Sequence, residues 1–467
     1  MKSPLVAATA ALGLLGQGAS AIALTVGDDA STKSAAGTIA YGLMKFYTGN
    51  NTGDNPGNLP PPYYCQEPPL RRWEAGAMFG TMIDYWFMTK DSTYNNVTMQ
   101  AVLWQAGKDG SFMPTNQTLT EGNDDQGFWA MSAMSAAENV FPNPPSDQPG
   151  WLAMAQAVFN QYVGRWDPNC GGGLRWQIFQ WNKGYDYKNS VANGCFFNVA
   201  ARLARYTGNQ TYADWAQKVW DWEEKIGLIS SSYQVFDGLS INTDNTCGHM
   251  DQNQWTYNAG LYMAGAAAMY NYTNNATWKA NLDGMITQTT SKFLKSGVVY
   301  EQFCEPSGVC TTDQSTFKGY LLRYMASTMK MAPYTVNTLM PIIKAAASAA
   351  VAVCTGPASS TFYGITGTGC GFSWTAPSTY DGKNGVGSQM NALDAVMYTM
   401  ALEAPDLATA KKGGTSKGDP GAGMSNIDPA GEIDNLTKPT TGGKVGAAIL
   451  TLLLLLSVLA GSAVLLL

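Results

Sequence analysis

Two adjacent carboxylates, Asp124 and Asp125, stand just before an apolar run rich in alanine and methionine, Ala130–Ala137. Neighbouring residues on a helix point about 100° apart, so two aspartates at a helix start can flank one small group from two directions. Glycoside cleavage uses such a pair, in which one carboxylate attacks or stabilises the sugar and the other protonates the leaving oxygen. Ordinary helix capping remains an alternative, because acidic residues are favoured at helix N-termini.

The composition removes several other chemistries. The chain has one histidine, His249, and no Gly-x-Ser-x-Gly nucleophile elbow accompanies it, so a serine-hydrolase triad is not indicated. The spacing of the 8 cysteines does not match a zinc ribbon, and we expect neither a metal site nor a cofactor. With a net charge of -6 and no basic stripe, nothing favours nucleic acid as a partner.

The elements that must position the aspartates are predicted to be helices of two alternating kinds. Runs rich in Ala, Gly, Met and aromatic residues read as buried helices, and amphipathic segments between them read as peripheral ones. The predicted buried helices are 73–90, 124–140, 189–206, 255–272, 315–331 and 389–403. The predicted peripheral helices are 31–47, 93–108, 149–165, 211–229, 276–294 and 335–353.

This alternation predicts an all-α domain over residues 24–405, built from six helical hairpins. The first peripheral helix has no buried partner of its own, and the last buried helix has no peripheral one. Closing the chain into a ring pairs them, so an (α/α)6 barrel is favoured over an open solenoid, which would need polar caps. The long loops all precede buried helices, and we expect them to line one cleft with the aspartates at its floor.

Both chain ends carry processing signals. Residues 1–21 have the charged start, apolar run and small-residue site of a signal peptide. Residues 406–444 form a polar Gly/Ser/Thr-rich linker, and 445–467 an apolar tail, which together are typical of a glycolipid-anchor signal; a tail-anchored span is the alternative. We expect attachment at Asn435, and hence a secreted protein held on the outer plasma membrane and in the cell wall.

Disulfides and N-glycans fit this secreted destination. Cys304 and Cys310 bracket a short turn-rich loop and are predicted to bond, and Cys354 and Cys370 are candidates for a second bond. The other four cysteines cannot be paired from the sequence. Predicted N-glycosylation acceptors are Asn50, Asn96, Asn116, Asn209, Asn271 and Asn275; Asn435 also lies in a sequon.

Sugar sites also need aromatic faces and polar groups, and several candidates precede or open buried helices. We predict substrate contacts from Glu74, Trp129, Trp176, Asp251, Gln252 and Trp255. Each aromatic residue could instead belong to the core, and Glu74 could serve only as a partner of its helix dipole.

Four motifs in this order resemble glycoside hydrolase family 76, and most closely its fungal, membrane-anchored endo-1,6-α-mannosidases. They are Trp73–Ala77, the Asp124-Asp125 pair, Lys188–Gly194 and Gln254–Gly260. The resemblance covers about residues 25–405 and both processing signals. It implies an (α/α)6 fold and retaining hydrolysis of α-1,6-mannosides. It also implies that Asp124 is the nucleophile and Asp125 the acid/base.

The residues agree with retention, because two neighbouring side chains suit the carboxyl separation of about 5 Å that it requires. The acid needs a raised pKa, which we expect Asp125 to gain from burial against Trp129 or from repulsion by Asp124. The substrate would be wall mannan or the mannosides of a glycolipid-anchor glycan. Two alternatives stay open: a transglycosidase that joins anchored proteins to wall polysaccharide acceptors, and a catalytically silent mannan-binding protein.

Overall fold

The computed structural model describes residues 22–61, 73–359, 362–375, 380–426, 446, 448–453 and 455–457. Twelve α-helices follow one another in the described residues up to 426. The helices are α1 Asp29–Met44, α2 Trp73–Thr89, α3 Asn95–Ala106, α4 Asn123–Glu138, α5 Trp151–Gly164, α6 Ser190–Thr207, α7 Gln210–Ile226, α8 Thr256–Thr273, α9 Ala276–Lys292, α10 Phe317–Met331, α11 Val336–Ala352 and α12 Val386–Met397. Each predicted helix is present. The last begins and ends earlier than expected, and a 3-10 turn, Tyr398–Met400, follows it.

The even-numbered helices form a closed inner ring. Each packs against the next, from α2 through α12, and α12 packs against α2. The odd-numbered helices lie outside on these six, as α5 does on α4 and α1 on α12. This closure confirms the (α/α)6 barrel and excludes the open solenoid.

Small residues let the inner helices approach each other closely. A Cβ atom added to Gly260 on α8 would lie 3.1 Å from the Cα atom of Leu321 on α10. The inner helices are buried along most of their length, so their apolar composition is that of core helices. Because every inner helix starts at the same end of the ring, the loops that lead into them share one face, which we call the cleft face. Its described segments are 107–122, 165–189, 227–255, 293–316, 353–359, 362–375 and 380–385.

Short strands, which the sequence did not predict, stiffen four of these loops. β1 Tyr187–Asn189, β2 Gly238–Ile241 and β3 Cys247–Asp251 form an antiparallel sheet in the order β1-β2-β3. The pairs β4 Leu294–Lys295 with β5 Val298–Val299, and β6 Cys354–Gly356 with β7 Gly369–Cys370, are two-stranded. The first sheet connects the loops before α6 and α8.

The predicted Cys304–Cys310 disulfide is present, and Cys354 bonds Cys370. The thiols of Cys170 and Cys247 hydrogen-bond each other, and burial is the main reason that the pKa of Cys170 rises to about 12. Cys65 lies outside the described residues.

The packed domain extends beyond residue 405, where the sequence placed the start of a linker. Residues 405–424, which we call the C-terminal strap, follow the outside of the barrel. The Ala408 N–H donates to the Glu138 carbonyl, and the Leu152 N–H donates to Ser416 Oγ at 2.9 Å. The compact unit therefore ends at Met424. The remainder of the predicted linker, residues 427–444, lies outside the described residues. So do the predicted anchor residue Asn435 and the predicted signal peptide, residues 1–21.

One helical stretch, Pro333–Ala352, is long and apolar enough to cross a membrane by length and composition. Half of its most apolar window is buried, because α11 packs against α10 and α12. A shorter apolar helix, Ala448–Ser457, lies in the predicted tail.

The predicted glycosylation acceptors can be compared directly with the surface. All of them are exposed: Asn50, Asn96, Asn116, Asn209, Asn271 and Asn275. Asn271 differs in that its Nδ2 already donates to the Met331 carbonyl at 2.8 Å. A glycan there would have to coexist with that bond or displace it.

Candidate active site

A cavity of about 360 Å³ opens on the cleft face at the start of the inner helices. Its walls are aromatic and polar, and its floor includes the predicted aspartate pair. The lining residues are Trp73, Asp124, Asp125, Phe128, Trp176, Gln177, Tyr187, Asn189, Val191, Asp237, Trp255, Tyr257, Thr311, Asp313, Gln314 and Phe317.

The first turn of α4 holds Asp125 in a fixed orientation. One of its oxygens, Oδ2, accepts the Gly122 N–H at 2.9 Å, as expected for the third residue of a helix that reaches back to its cap. The other oxygen, Oδ1, accepts the Trp73 N–H at 3.0 Å. Asp125 thus joins the starts of α2 and α4, and two backbone donors favour its ionised form.

Asp124 is held from the opposite side by a neighbouring loop. The indole Nε1 of Trp176 donates to Asp124 Oδ2 at 3.1 Å, and the Trp176 carbonyl accepts the Asn123 N–H at 2.8 Å. Burial chiefly, and then the charge of Asp125, raise the pKa of Asp124 well above its usual value. The hydrogen bond from Trp176 opposes this rise.

The pKa shift that the structure gives is that of Asp124, while Asp125 accepts two backbone N–H groups. A raised pKa of Asp125 stays a prediction. A single shared proton fits both groups, because two carboxylates this close cannot easily ionise together.

A third carboxylate, Asp237, faces the cavity from the loop before β2. It accepts Tyr187 O–H at 2.7 Å through Oδ2 and Trp255 Nε1–H at 2.8 Å through Oδ1. Burial raises the pKa of Asp237, and the charge of Asp251 adds to the rise. Sequence reasoning missed Asp237, because a single Asp in a loop carries no motif.

Aromatic rings form much of the remaining wall. Tyr257 stacks on Phe317 with ring centroids 3.9 Å apart, and Trp255 meets the same ring edge-on at 5.6 Å. Trp73 and Phe128 pack at 5.0 Å on the side nearer the aspartates. Flat apolar faces beside polar groups suit a sugar ring, whose C–H faces are apolar and whose edges carry hydroxyls.

The six predicted substrate contacts separate into two groups. Trp176 and Trp255 line the cavity. Glu74 is fully buried in the first turn of α2 and does not reach the lining. Trp129 is also fully buried, and the prediction of a substrate contact is corrected: its ring stacks between Phe79 and Phe112 in the core.

Asp251 and Gln252 also lie outside the cavity lining. Asp251 pairs opposite Gly238 in the β-sheet, and its Oδ1 accepts the Asn253 N–H at 2.9 Å, so it stabilises a turn. Gln252 is exposed. The carboxylate that the sheet does bring to the cavity is Asp237, next to Gly238.

Among the described residues, the lining contains four carboxyl groups and no lysine or arginine. An anionic ligand would meet uncompensated repulsion there, whereas an uncharged polyhydroxylated one would not. Among the described residues, no group of three or more His, Cys, Asp or Glu side chains is arranged to hold a metal ion. The site can therefore supply general acid, base and nucleophile functions from carboxyl groups.

The sequence matches the model of glycosyl hydrolase family 76 over residues 31–411. Mannan endo-1,6-alpha-mannosidase DCW1 of Saccharomyces cerevisiae is 45% identical over 447 residues, which cover 94% of each chain. Mannan endo-1,6-alpha-mannosidase DFG5 of the same yeast is 42% identical over 430 residues, covering 91% of this chain and 90% of that one.

Solved structures agree with the fold. The crystal structure of Dfg5 from Chaetomium thermophilum in complex with glucosamine superposes with a TM-score of 0.81 at 43% identity, covering 87% of this chain and 99% of that chain. An alpha-1,6-mannanase from Salegentibacter sp. superposes with a TM-score of 0.59 at 18% identity, covering 79% and 99%, and supports the barrel alone.

Proposed function

Because the chain belongs to glycosyl hydrolase family 76, we propose that it hydrolyses α-1,6-mannoside linkages within mannan chains and retains the anomeric configuration. The names of relatives that align over nearly the whole chain support this substrate. The cavity supports it too, since its described lining has carboxyl groups and aromatic faces and no basic residue, which suits an uncharged sugar chain.

The paired carboxylates at the cavity floor carry the proposal. We assign Asp124 as the nucleophile that attacks the anomeric carbon and forms a glycosyl ester. Asp125 gives its proton to the leaving sugar oxygen and then takes a proton from the water that cleaves the ester. Adjacent residues suit the separation of about 5 Å used in retention better than the roughly 6.5–9.5 Å used in inversion.

One observation favours the reverse assignment, in which Asp125 is the nucleophile and Asp124 the acid. Burial and the charge of Asp125 raise the pKa of Asp124, and Asp125 accepts two backbone N–H groups, so both effects favour the proton on Asp124. For Asp124 to attack, substrate binding must move that proton to Asp125. If no such transfer occurs, Asp125 is the nucleophile and Asp124 the acid.

Intact mass after mixing with an activated mannosyl fluoride decides between these orders. We expect Asp124→Asn to form no covalent adduct on any substrate. Asp125→Asn should still form one with good leaving groups, but should lose roughly 10²–10⁴-fold in rate on natural mannosides, since protonation matters only for a poor leaving group. An adduct on Asp124→Asn would assign the nucleophile to Asp125.

Asp214→Asn on the exposed face of α7 is the matched control and should leave both rates unchanged. Adding sugar acceptors to the same assay measures whether the glycosyl group passes to a wall polysaccharide hydroxyl instead of water. If neither aspartate variant loses turnover of α-1,6-mannosides, the proposed function is wrong.

We further propose that the protein is secreted and attached near Asn435 to a glycolipid of the outer plasma membrane, from which it reaches the cell wall. The signal at 1–21, the spacer and the apolar tail support this location. Mass spectrometry of the mature C-terminal peptide tests it. Recovery of residues beyond Lys444 would show that the tail is retained.

A further inference from the structure

Large apolar side chains protrude from the loops around the cavity. On the cleft face six of them are 47–67% exposed. One exposed apolar side chain is ordinary, but a group of them on one face points to an interaction site. The six are Leu119, Trp181, Phe303, Val309, Tyr363 and Ile365. At the opposite end of the barrel, the exposed side chains of this kind in the described residues are Tyr334 and Leu402.

Specific contacts hold these side chains in their exposed positions. Trp181 stacks on Phe179 at 4.9 Å, and its Nε1 donates to the Leu119 carbonyl at 3.2 Å. Phe303 lies edge-on against Trp255, which lines the cavity, at 5.1 Å. Trp181 and Phe303 are thus held in place by their neighbours, and Phe303 lies directly at the rim of the cavity.

The C-terminal strap runs toward the same face. It passes the end of α4 at Glu138, where the cleft is farthest, and then follows α5. Gln156 Oε1 accepts the Asp419 N–H at 2.7 Å, and Asn160 Nδ2 donates to the carbonyls of Pro420 and Ala422 at 2.9 and 2.8 Å. From Leu152 to Asn160 the strap rises about 12 Å, at ~1.5 Å per residue.

The C-terminal end of α5 is at the cleft face. The hydroxyl of Tyr162 donates to the Asn123 carbonyl in the first turn of α4, and Gln126 Nε2 donates to Gln161 Oε1 at 2.6 Å. At Gly423 the strap lies beside Ala157, so the chain leaves the compact unit about two helical turns short of the cavity end. Roughly 20 residues remain before the apolar tail, and a chain of that length spans at most about 70 Å.

We propose that the cleft face rests on a lipid bilayer, with the protruding apolar side chains inserted at its surface and the strap delivering the C-terminus to the same side. The lipid attachment rests on the proposed location of the protein, whereas the contact of the face with lipid does not depend on it. Trp, Tyr and Phe partition to membrane interfaces, and aliphatic side chains enter the acyl boundary.

The chemistry of the protruding groups favours a bilayer over a polysaccharide. Sugars stack on flat aromatic rings, but Leu119, Val309 and Ile365 offer no ring on which to stack. Membrane insertion uses aliphatic and aromatic side chains alike. The lack of a basic stripe further implies that binding does not depend on anionic lipid, so it should resist salt.

This placement has a consequence for the substrate. A cavity that opens beside the bilayer receives mannosides displayed within a short distance of the lipid surface more readily than chains deep in a polysaccharide layer. Tethering raises the effective concentration of such substrates without any new contact in the cavity.

Co-sedimentation with uncharged phosphatidylcholine vesicles tests the proposal. The protein used ends at Lys444, so it lacks the apolar tail but keeps the whole compact unit that ends at Met424. We expect it to sediment with vesicles at low and at high salt. The double variant Val309→Ser and Ile365→Ser should bind at least about tenfold more weakly, because two exposed aliphatic groups leave the lipid.

Leu402→Ser is the matched control, since Leu402 is 45% exposed at the opposite end of the barrel, and it should bind as the unsubstituted protein does. Failure to sediment with vesicles, or equal weakening by both sets of changes, overturns the proposal. If the double variant pellets less with insoluble mannan but as before with vesicles, the face binds polysaccharide and not lipid. Turnover of a soluble α-1,6-mannoside in the same samples tests the enzymatic proposal separately, and the double variant should keep it.

Discussion

At the scale of single residues, Trp176 connects sugar binding to the charge of Asp124. Its indole lines the cavity and donates to Asp124 Oδ2, and this bond lowers a pKa that burial and Asp125 raise. The side chain thus helps Asp124 to ionise in a site that otherwise opposes ionisation. A nucleophile in so enclosed a place needs such a donor.

Trp176→Phe keeps an aromatic ring and removes the donor. Because a hydrogen bond to a charged group contributes about 1.5–3 kcal/mol, or roughly one to two pH units, the pKa of Asp124 should rise further. If Asp124 acts ionised, the acid limb of the kcat/KM profile moves to higher pH by about that amount. A profile that falls equally at every pH would restrict Trp176 to sugar binding.

Trp181→Phe is the control for this measurement. Trp181 lies in the same loop, but its Nε1 donates to the Leu119 carbonyl and does not line the cavity. Its replacement should leave the pH profile on a soluble mannoside unchanged.

The residue scale also marks a limit of sequence reasoning. Asp124 and Asp125 could be predicted, since they are adjacent and precede a helix. Asp237 could not, because it reaches the cavity through a β-sheet whose pairing depends on distant segments. Trp129 was misplaced because sequence order gives a helix start but not the direction of each side chain around it.

At the scale of elements, the helices were predictable because packing repeats along them. Most observed ends lie within a few residues of the predicted ones, since apolar periodicity persists over three or more turns. The strands are 2–5 residues long, which is too short for alternation to show. They form where loops from neighbouring hairpins meet, so tertiary contacts and not local pattern decide them.

The outer helix α7 contains a buried acid that gives a test at this scale. Glu223 is fully buried, its Oε1 accepts the Tyr262 O–H of α8 at 2.6 Å, and burial raises its pKa from 4.5 to about 8. Between these values the unfolded chain releases a proton that the folded protein retains. Stability should therefore fall as the pH rises from about 4.5 to about 8, and level off above that.

Glu223→Gln removes the titration and should flatten this fall. pH 7 lies about 2.5 pH units above the ordinary glutamate pKa of 4.5. The variant should therefore have a free energy of unfolding about 3 kcal/mol higher than the unsubstituted protein at pH 7. At pH 4 the two proteins should be nearly equal. Thermal unfolding at both pH values measures this, with Asp221→Asn on the exposed face of the same helix as control; a pH dependence unchanged in Glu223→Gln would contradict it.

At the scale of the whole molecule, the two ends of the barrel have different roles. The cleft end holds carboxyl groups that must react, and the opposite end is closed by buried ion pairs. There Arg202 Nη2 lies 2.6 Å from Glu138 Oε2, and Arg323 Nε lies 2.9 Å from Asp84 Oδ2. The first pair joins the successive inner helices α6 and α4, whereas the second joins α10 to α2, near the two ends of the repeat, and therefore depends on ring closure.

The ring itself could be predicted because the first and the last helix of the predicted repeat each lacked a hairpin partner. The pairing of α12 with α2 is its direct result. The strap over α5 could not be predicted, because a Gly/Ser-rich composition is typical of linkers whether or not their polar groups find partners. Here side chains of α5 satisfy the strap's backbone, as Asn160 does for Pro420 and Ala422.

Asp84 tests how far the closed end stabilises the ring. Its Oδ2 pairs with Arg323 of α10 and accepts the Tyr398 O–H at 2.7 Å, and its Oδ1 accepts Asn139 Nδ2–H at 2.7 Å. Asp84→Ala leaves Arg323 buried without its closest partner, which costs about 3–5 kcal/mol of unfolding free energy. KM on a soluble mannoside should stay unchanged, because the cavity lies at the other end.

The exposed pair of Lys279 and Asp283 on α9 provides the comparison, with side chains 44% and 46% exposed and an N–O distance of 2.7 Å. Asp283→Ala should cost under about 1 kcal/mol, since water screens that pair. Chemical denaturation of both variants measures the contrast. Equal losses would mean that the ion pairs at the closed end do not hold the ring, and that apolar contacts between the inner helices suffice to close it.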